Sequence, residues 1–248
     1  MENKYPLALV TGGAQRLGRA FAFCLAQRGF AVLLHCHTST EQALASASEL
    51  RELGVPVYIQ SADLTDSVQV EALFATLDTL LTEPDSKLAG LRVLVNSAAV
   101  MTSGNLQNLP AAEWDATLAL NLRAPFLCAQ LAYARMRTGG LIVNISDIGA
   151  QKNWSQYPAY TISKAGLEAL TRLQARSFAP QVRVNAIAPG LVMPSASTPP
   201  DEWERLVSRL PIRRPARPDE ITRALEFLLD NEYITGQILR IDGGYSLL

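Results

Sequence analysis

Seven short segments of this chain are apolar almost without interruption, and segments with helical spacing separate them. Strands read that way when both faces are buried, as in a parallel sheet covered by helices. A strand with one face in water would alternate instead. The strand segments are 5–11, 31–36, 55–61, 91–96, 140–146, 182–188 and 237–242. Helices are predicted over 16–28, 40–53, 65–82, 111–137, 157–178 and 219–230, with a break in the fourth near Pro125. This alternation predicts βαβ units with right-handed crossovers, and hence an α/β, Rossmann-like doubly wound parallel sheet of about seven strands. No linker-like stretch divides residues 1–248, so one domain is expected. Residues 194–218 depart from the pattern. They hold six of the 14 prolines and a helix-like patch around Trp203, and read as a lid or binding loop.

Composition narrows the partners. Lys and Arg number 22 against 23 Asp and Glu, a net charge of −1 that argues against nucleic acid. No run of 18 apolar residues exists, so no membrane span is expected. Met1 to Val10 holds one Lys and a very short apolar run, unlike a secretory signal. Cys24, Cys36 and Cys128 are odd in number and widely spaced, which suits a reduced, cytoplasmic protein with buried thiols. His35-Cys36-His37 offers at most two ligands on one strand face, and the chain has no other His, so no metal site is expected.

The first strand segment runs into Thr11-Gly12-Gly13-Ala14-Gln15-Arg16-Leu17-Gly18 and then a helix. Glycines there let the backbone approach a pyrophosphate, which the free N–H groups of the helix start stabilise. Gly12, Arg16, Leu17 and Gly18 are therefore candidate cofactor contacts. An NAD enzyme would carry an acid at the end of the second strand to hold the ribose 2′-hydroxyl. Here that end reads His37-Thr38-Ser39, with no acid before Glu41. A carboxylate would repel a 2′-phosphate; these residues tolerate one. Arg16 is expected to reach across to the same phosphate. The expected cofactor is NADPH.

Tyr160-x-x-x-Lys164 places a phenol and an ammonium one turn apart on a helix. A phenol titrates near 10, and a nearby ammonium lowers that value, so the pair is suited to general acid chemistry. These pieces, together with Asp63-Leu64, Asn96-Ser97-Ala98-Ala99, Asn121, Pro189-Gly190 and Asp242-Gly243-Gly244, occur in an order and spacing that resembles the short-chain dehydrogenase/reductase family over the whole chain. The resemblance implies that Tyr160 is the catalytic acid, that Lys164 lowers its pKa and binds the nicotinamide ribose, and that Asn121 anchors a water behind Lys164. It implies that Asp63 and Leu64 flank the adenine and that Asn96 and Ala98 line the cofactor. It implies that Pro189, Gly190, Leu191 and Val192 contact the nicotinamide.

Two departures point to one branch. Most members of the family carry Ser thirteen residues before the Tyr, where this chain has Asp147 beside Ser146. A hydroxyl stabilises a developing alkoxide; a carboxylate would repel it and suits a substrate with N–H donors or a ring nitrogen to protonate. The usual small residue of the first turn is replaced by Arg16. Both changes resemble the pteridine reductases, as do Leu33-Leu34-His35-Cys36-His37, Pro199-Pro200-Asp201-Glu202-Trp203 and Asp242-Gly243-Gly244-Tyr245-Ser246-Leu247. That branch stacks an aromatic residue on the pterin two positions beyond Ala99, where this chain has Met101, a thioether that packs on flat rings. Ser197 or Trp203 in the excursion are the candidates to compensate. The resemblance thus implies an NADPH-dependent pteridine reductase acting on a dihydropterin or dihydrofolate, with Arg16, Ala99, Met101, Asp147, Tyr160, Gly190, Leu191 and Trp203 at the substrate. A carbonyl reductase, for example of 3-oxoacyl thioesters, and a non-catalytic NADPH-binding regulator are the alternatives. It also implies a homotetramer through the helices at 111–137 and 157–178, whose small faces carry Ala129, Ala132, Ala134, Ala165, Ala169 and Ala175.

Overall fold

In the computed structural model, which describes residues 4–195 and 198–248, all seven predicted strands form and lie in one parallel sheet. They are β1 (Tyr5–Thr11), β2 (Ala31–Cys36), β3 (Val57–Ser61), β4 (Leu88–Asn96), β5 (Gly140–Ile145), β6 (Val182–Pro189) and β7 (Ile238–Ile241). Their order is β3-β2-β1-β4-β5-β6-β7. Residues along β1 alternate between two cores. Ala8 and Val10 face a cluster with Phe21, Leu25, Leu225 and Leu228, while Leu7 and Leu9 face another with Leu73, Phe74, Leu77 and Ala129. Both faces are dry, which is why the strand segments are apolar throughout.

Helices α1 (Arg16–Gln27), α2 (Thr40–Arg51) and α9 (Pro218–Asp230), together with α3 (Ser67–Thr82), follow the predicted spacing closely. The long fourth segment divides into α4 (Ala111–Leu118), a π-helical turn (Ala119–Arg123) and α5 (Ala124–Tyr133). The break falls before Pro125 rather than at it. Pro125 has no N–H to give the carbonyl four residues back, that of Asn121, and the helix widens there while Pro125 sits in the first turn of α5. The short helix α6 (Gly149–Lys152) was not expected; α7 (Pro158–Phe178) was. The excursion contains α8 (Pro200–Arg209), none of whose residues is buried. Ser197 lies outside the described residues. Cys24, Cys36 and Cys128 are free and buried, and burial pushes the Cys24 and Cys128 thiols up to about 12, which leaves them unreactive.

The chain builds outward from β1 to β3 and returns to β4 on the other side of β1. The crevice beyond the ends of β1 and β4 is thus the switch point where open α/β sheets bind ligands.

Candidate active site

A cavity of about 1350 Å³ opens at that crevice. The turn after β1 forms one wall. Gly12 has φ +62, a left-handed conformation that favours glycine, and a Cβ there would meet Ala98 Cα at 2.9 Å. A Cβ on Gly18 would lie 2.0 Å from the Gly12 carbonyl, so the helix can start only by packing glycine on glycine. Thr11 Oγ1 accepts from the amides of Ser97 and Ala98 at 3.0 and 3.1 Å, which ties the turn to the strand beside it.

His35, buried under the turn, holds it from below. Its Nδ1 accepts from the Gly12 amide at 3.1 Å, and its Nε2 donates to the Ala62 carbonyl at 2.9 Å. This arrangement uses the neutral ring, and burial pushes its pKa down to about 4. Because the fold selects the neutral form, its stability is complete above about pH 6.5 and is lost as pH falls from there toward 4, by about 3 kcal/mol at most. Melting temperatures of the wild type are expected to fall across that window, and His35→Gln to remove most of the fall. An unchanged slope in the variant contradicts this role.

Arg16 corrects the expectation made for it. Its guanidinium donates to the carbonyls of Met193 and Pro194, both at 3.0 Å, and so faces the excursion rather than the end of β2. Its backbone is left-handed at φ +52, the conformation for which the family's usual small residue is suited. An arginine there costs about 1–2 kcal/mol, which the structure sustains at the point where the turn meets Met193 and Pro194. Arg16→Gly is expected to raise amide exchange over 191–195 about tenfold as those carbonyls lose their donors. Exchange unchanged by the substitution would show that the contact holds nothing.

His37, Thr38 and Ser39 line the cavity at the end of β2, and none is acidic. The first turn of α1 holds no acid either. An anion-binding helix start and an acid-free strand end fit a nucleotide with a 2′-phosphate. Asp63 and Leu64 line the same end; one Asp63 oxygen accepts from Thr65 N and Oγ1, both at 2.8 Å, and these bonds hold its pKa down. Ala98, Leu17, Gly18 and the run Pro189–Val192 also line the cavity. Asn96 does not. It lies beneath the floor, with Nδ2 donating to Asn144 Oδ1 at 2.9 Å in a buried network that continues to Thr171.

Asp147, Tyr160 and Lys164 meet at the opposite wall. Tyr160 OH donates to Asp147 Oδ2 at 2.9 Å, and Asp147 Oδ1 accepts from the Gly149 amide at 2.6 Å. Lys164 Nζ donates to the Ile145 carbonyl at 2.7 Å and lies 5.6 Å from the Tyr160 ring centre. The electrostatics reverse the expectation for the phenol. Burial and the Asp147 charge push the Tyr160 pKa well up, so in this arrangement the phenol keeps its proton. Burial raises Asp147 despite its hydrogen bonds and the ammonium nearby, and lowers Lys164 to about 8. The group is a store of protons beside a cavity. Asn121 stands behind it, its side chain bonded to both backbone groups of Val100 and to Ser163 Oγ.

Ala99, Met101, Gly190, Leu191 and Trp203 all line the cavity, and Met101 is exposed there. So do three aromatic residues that sequence reasoning missed: Trp154, Tyr157 and Tyr245. The Trp154 ring centre lies 6.3 Å from that of Tyr157 and 6.2 Å from that of Tyr245. Trp154 and Tyr157 come from the loop between α6 and α7 and Tyr245 from the last turn of the chain. Tyr245 belongs to the motif from Asp242 to Leu247, but no local signal places any of the three at the cavity.

A family model described as enoyl-(acyl carrier protein) reductase matches residues 12–246, almost the whole of this arrangement. The chain belongs to the short-chain dehydrogenase/reductase family. It is 33% identical over 245 residues to the 3-oxoacyl-(acyl-carrier-protein) reductase FabG of Staphylococcus aureus, a match covering 96% of each. It is 35% identical over 248 residues to carbonyl reductase family member 4 of Danio rerio, with 98% of each covered. Among solved structures, FolM alternative dihydrofolate reductase 1 from Brucella suis in complex with NADP superimposes with a TM-score of 0.90 at 35% identity, over 100% of this chain and 97% of that one. The oxidoreductase class of this short-chain dehydrogenase/reductase follows from the family; its substrate does not.

Proposed function

We propose that the protein is an NADPH-dependent reductase of pteridines, acting on a dihydropterin or dihydrofolate. The observation that carries the reading is the 2.9 Å bond between Tyr160 and Asp147, a carboxyl where an alkoxide-stabilising hydroxyl is usual. The NADP complex of the similar FolM structure and the acid-free end of β2 support the cofactor. The turn from Gly12 to Gly18 would hold its phosphates, His37, Thr38 and Ser39 the 2′-phosphate, Lys164 the nicotinamide ribose, and Pro189–Val192 the nicotinamide. NADPH supplies a hydride to one carbon of a C=N bond. Reduction is completed when the chain gives one proton to the nitrogen of that bond. Tyr160 keeps its proton at neutral pH, and Asp147 holds one longer than an ordinary carboxyl, so the pair can make that transfer. Lys164 keeps positive charge behind them, and Asn121 positions the wall through Val100 and Ser163. Met101, Trp154 and Trp203, which all line the cavity, would pack on the ring.

The test is NADPH oxidation with dihydrobiopterin, dihydromonapterin and dihydrofolate. Turnover of at least one is expected, and none on any of the three defeats the reading. A second reading is a reductase of 3-oxoacyl thioesters. Met101 in place of the stacking aromatic and the likeness to FabG favour it, and Asp147 opposes it. Turnover of such thioesters without turnover of pterins would select it.

The excursion is proposed as the substrate lid, since Glu202, Trp203 and Leu206 of α8 line the cavity. Assembly through α5 and α7 is also proposed, on a changed footing. Ala129, Ala132 and Ala175 pack into the chain's own core, whereas Phe126, Ile162 and Leu173 are the exposed apolar residues of those helices. Light scattering is expected to give a tetramer at micromolar concentration; a monomer would refute it.

A further inference from the structure

One lysine joins the end of α6 to the last turn of the chain. Lys152 is the final residue of α6. Its Nζ donates to the Tyr245 carbonyl at 3.1 Å and to the Leu248 main-chain oxygen at 2.8 Å. It also lies 4.8 Å from the centre of the Tyr245 ring. Two of the three donors of the ammonium are thus spent on backbone, and its charge lies over an aromatic ring. Among the described residues no Asp or Glu side chain comes within 4.0 Å of it.

The turn that Lys152 grips is otherwise closed from within. The Asp242 carboxylate accepts from the Gly244 amide at 3.0 Å and from the Ser246 amide at 2.8 Å. Among the described residues no other side chain from outside 242–248 hydrogen-bonds to this turn. The turn carries the Tyr245 ring, which lines the cavity with Trp154, their centres 6.2 Å apart. Trp154 stands beside the carboxyl of the active site. A Cβ on Gly149 would lie 2.7 Å from Trp154 Cζ3 and 3.0 Å from Asp147 Oδ1, so indole and carboxyl meet over one glycine. Asn153, left-handed at φ +51, turns the chain between Lys152 and Trp154, and both of these reach Tyr245. Lys152 itself does not line the cavity. Whatever it contributes there passes through Tyr245.

We propose that Lys152 is a positioning residue for substrate binding, which clamps the last turn so that Tyr245 and Trp154 form a fixed aromatic wall beside Asp147. A ring held in place before the substrate arrives need not be immobilised on binding, so its contacts appear in affinity. The proposal rests on the pteridine-reductase reading, in which the wall meets a flat heterocycle.

The test is steady-state reduction of dihydrobiopterin by the wild type, Lys152→Met, Lys152→Arg, Tyr245→Ala and the Lys152→Met/Tyr245→Ala double variant. In Lys152→Met, KM for dihydrobiopterin is expected to rise about tenfold, while kcat and the NADPH Kd stay within about twofold. Lys152→Arg, which keeps a cation and its donors, is expected to recover most of the loss. The double variant is expected to be no worse than Tyr245→Ala alone, because the lysine acts through that ring. An unmoved KM in Lys152→Met overturns the proposal. So do equal losses in dihydrobiopterin and NADPH binding, which a general loosening would give, and losses that multiply in the double variant. Should Lys152→Met not fold, proton NMR of the wild type serves instead. The Lys152 Cε protons are expected to be shifted upfield by the Tyr245 ring and to lose that shift in Tyr245→Ala; unshifted protons overturn the proposal. A wild type inactive on every dihydropterin would defeat the functional reading; an active wild type whose KM ignores Lys152 would defeat this inference alone.

Discussion

Tyr160→Phe is expected to lower kcat for dihydropterin reduction by about 10²–10⁴-fold, the usual contribution of a positioned general acid. The substitution removes one oxygen from a buried ring and leaves the ring's packing in place. It takes away the side-chain donor to Asp147 Oδ2, which lies 2.9 Å from the phenol. Tyr160 stands on α7 rather than in the turn from Gly12 to Gly18 that is proposed to hold the phosphates, so NADPH affinity should change by less than about threefold, under 1 kcal/mol. Stopped-flow turnover and fluorescence titration with NADPH separate the two quantities. A variant with near-normal kcat would show that the proton comes from another group.

Asp147→Ser is expected to reduce kcat/KM on pterins by about 10²–10³-fold and again to spare NADPH binding. Serine supplies the hydroxyl that suits a developing alkoxide. It cannot hold the extra proton that burial gives to Asp147, and its single oxygen cannot accept from ring N–H donors while also donating, as a carboxyl can. Activity on a simple ketone or a 3-oxoacyl thioester should rise, since a serine hydroxyl donates to a developing alkoxide without giving up its proton. Equal losses on pterins and ketones would mean that Asp147 only supports the turn at Gly149.

The two predicted substitutions depend on features of unequal visibility in the sequence. The sheet was legible because burial on both faces leaves an uninterrupted apolar run, as at Leu7 to Val10. The tight turn after β1 was legible because Gly12 and Gly18 meet steric demands made by their near neighbours. The pairing of Tyr160 with Asp147 followed from family spacing, but the sign of the phenol's shift did not. That sign depends on burial and on Lys164 turning to Ile145, neither of which spacing reveals. The target of Arg16 lay 177 and 178 residues away, beyond any local pattern. Asn96 was misplaced for a similar reason: its partner, Asn144, stands on the neighbouring strand and draws the side chain under the floor. Trp154, Tyr157 and Tyr245 became neighbours only through the path of the chain in space.

The destination of the transferred hydride tests the central claim most directly. NADPH deuterated at the transferable C4 position would be given to the enzyme with equal amounts of a dihydropterin and a 3-oxoacyl thioester, and both products analysed by mass spectrometry. The label is expected on a ring carbon of the tetrahydropterin, with the thioester unlabelled. Label in the 3-hydroxyacyl product and none in the pterin would contradict the assignment.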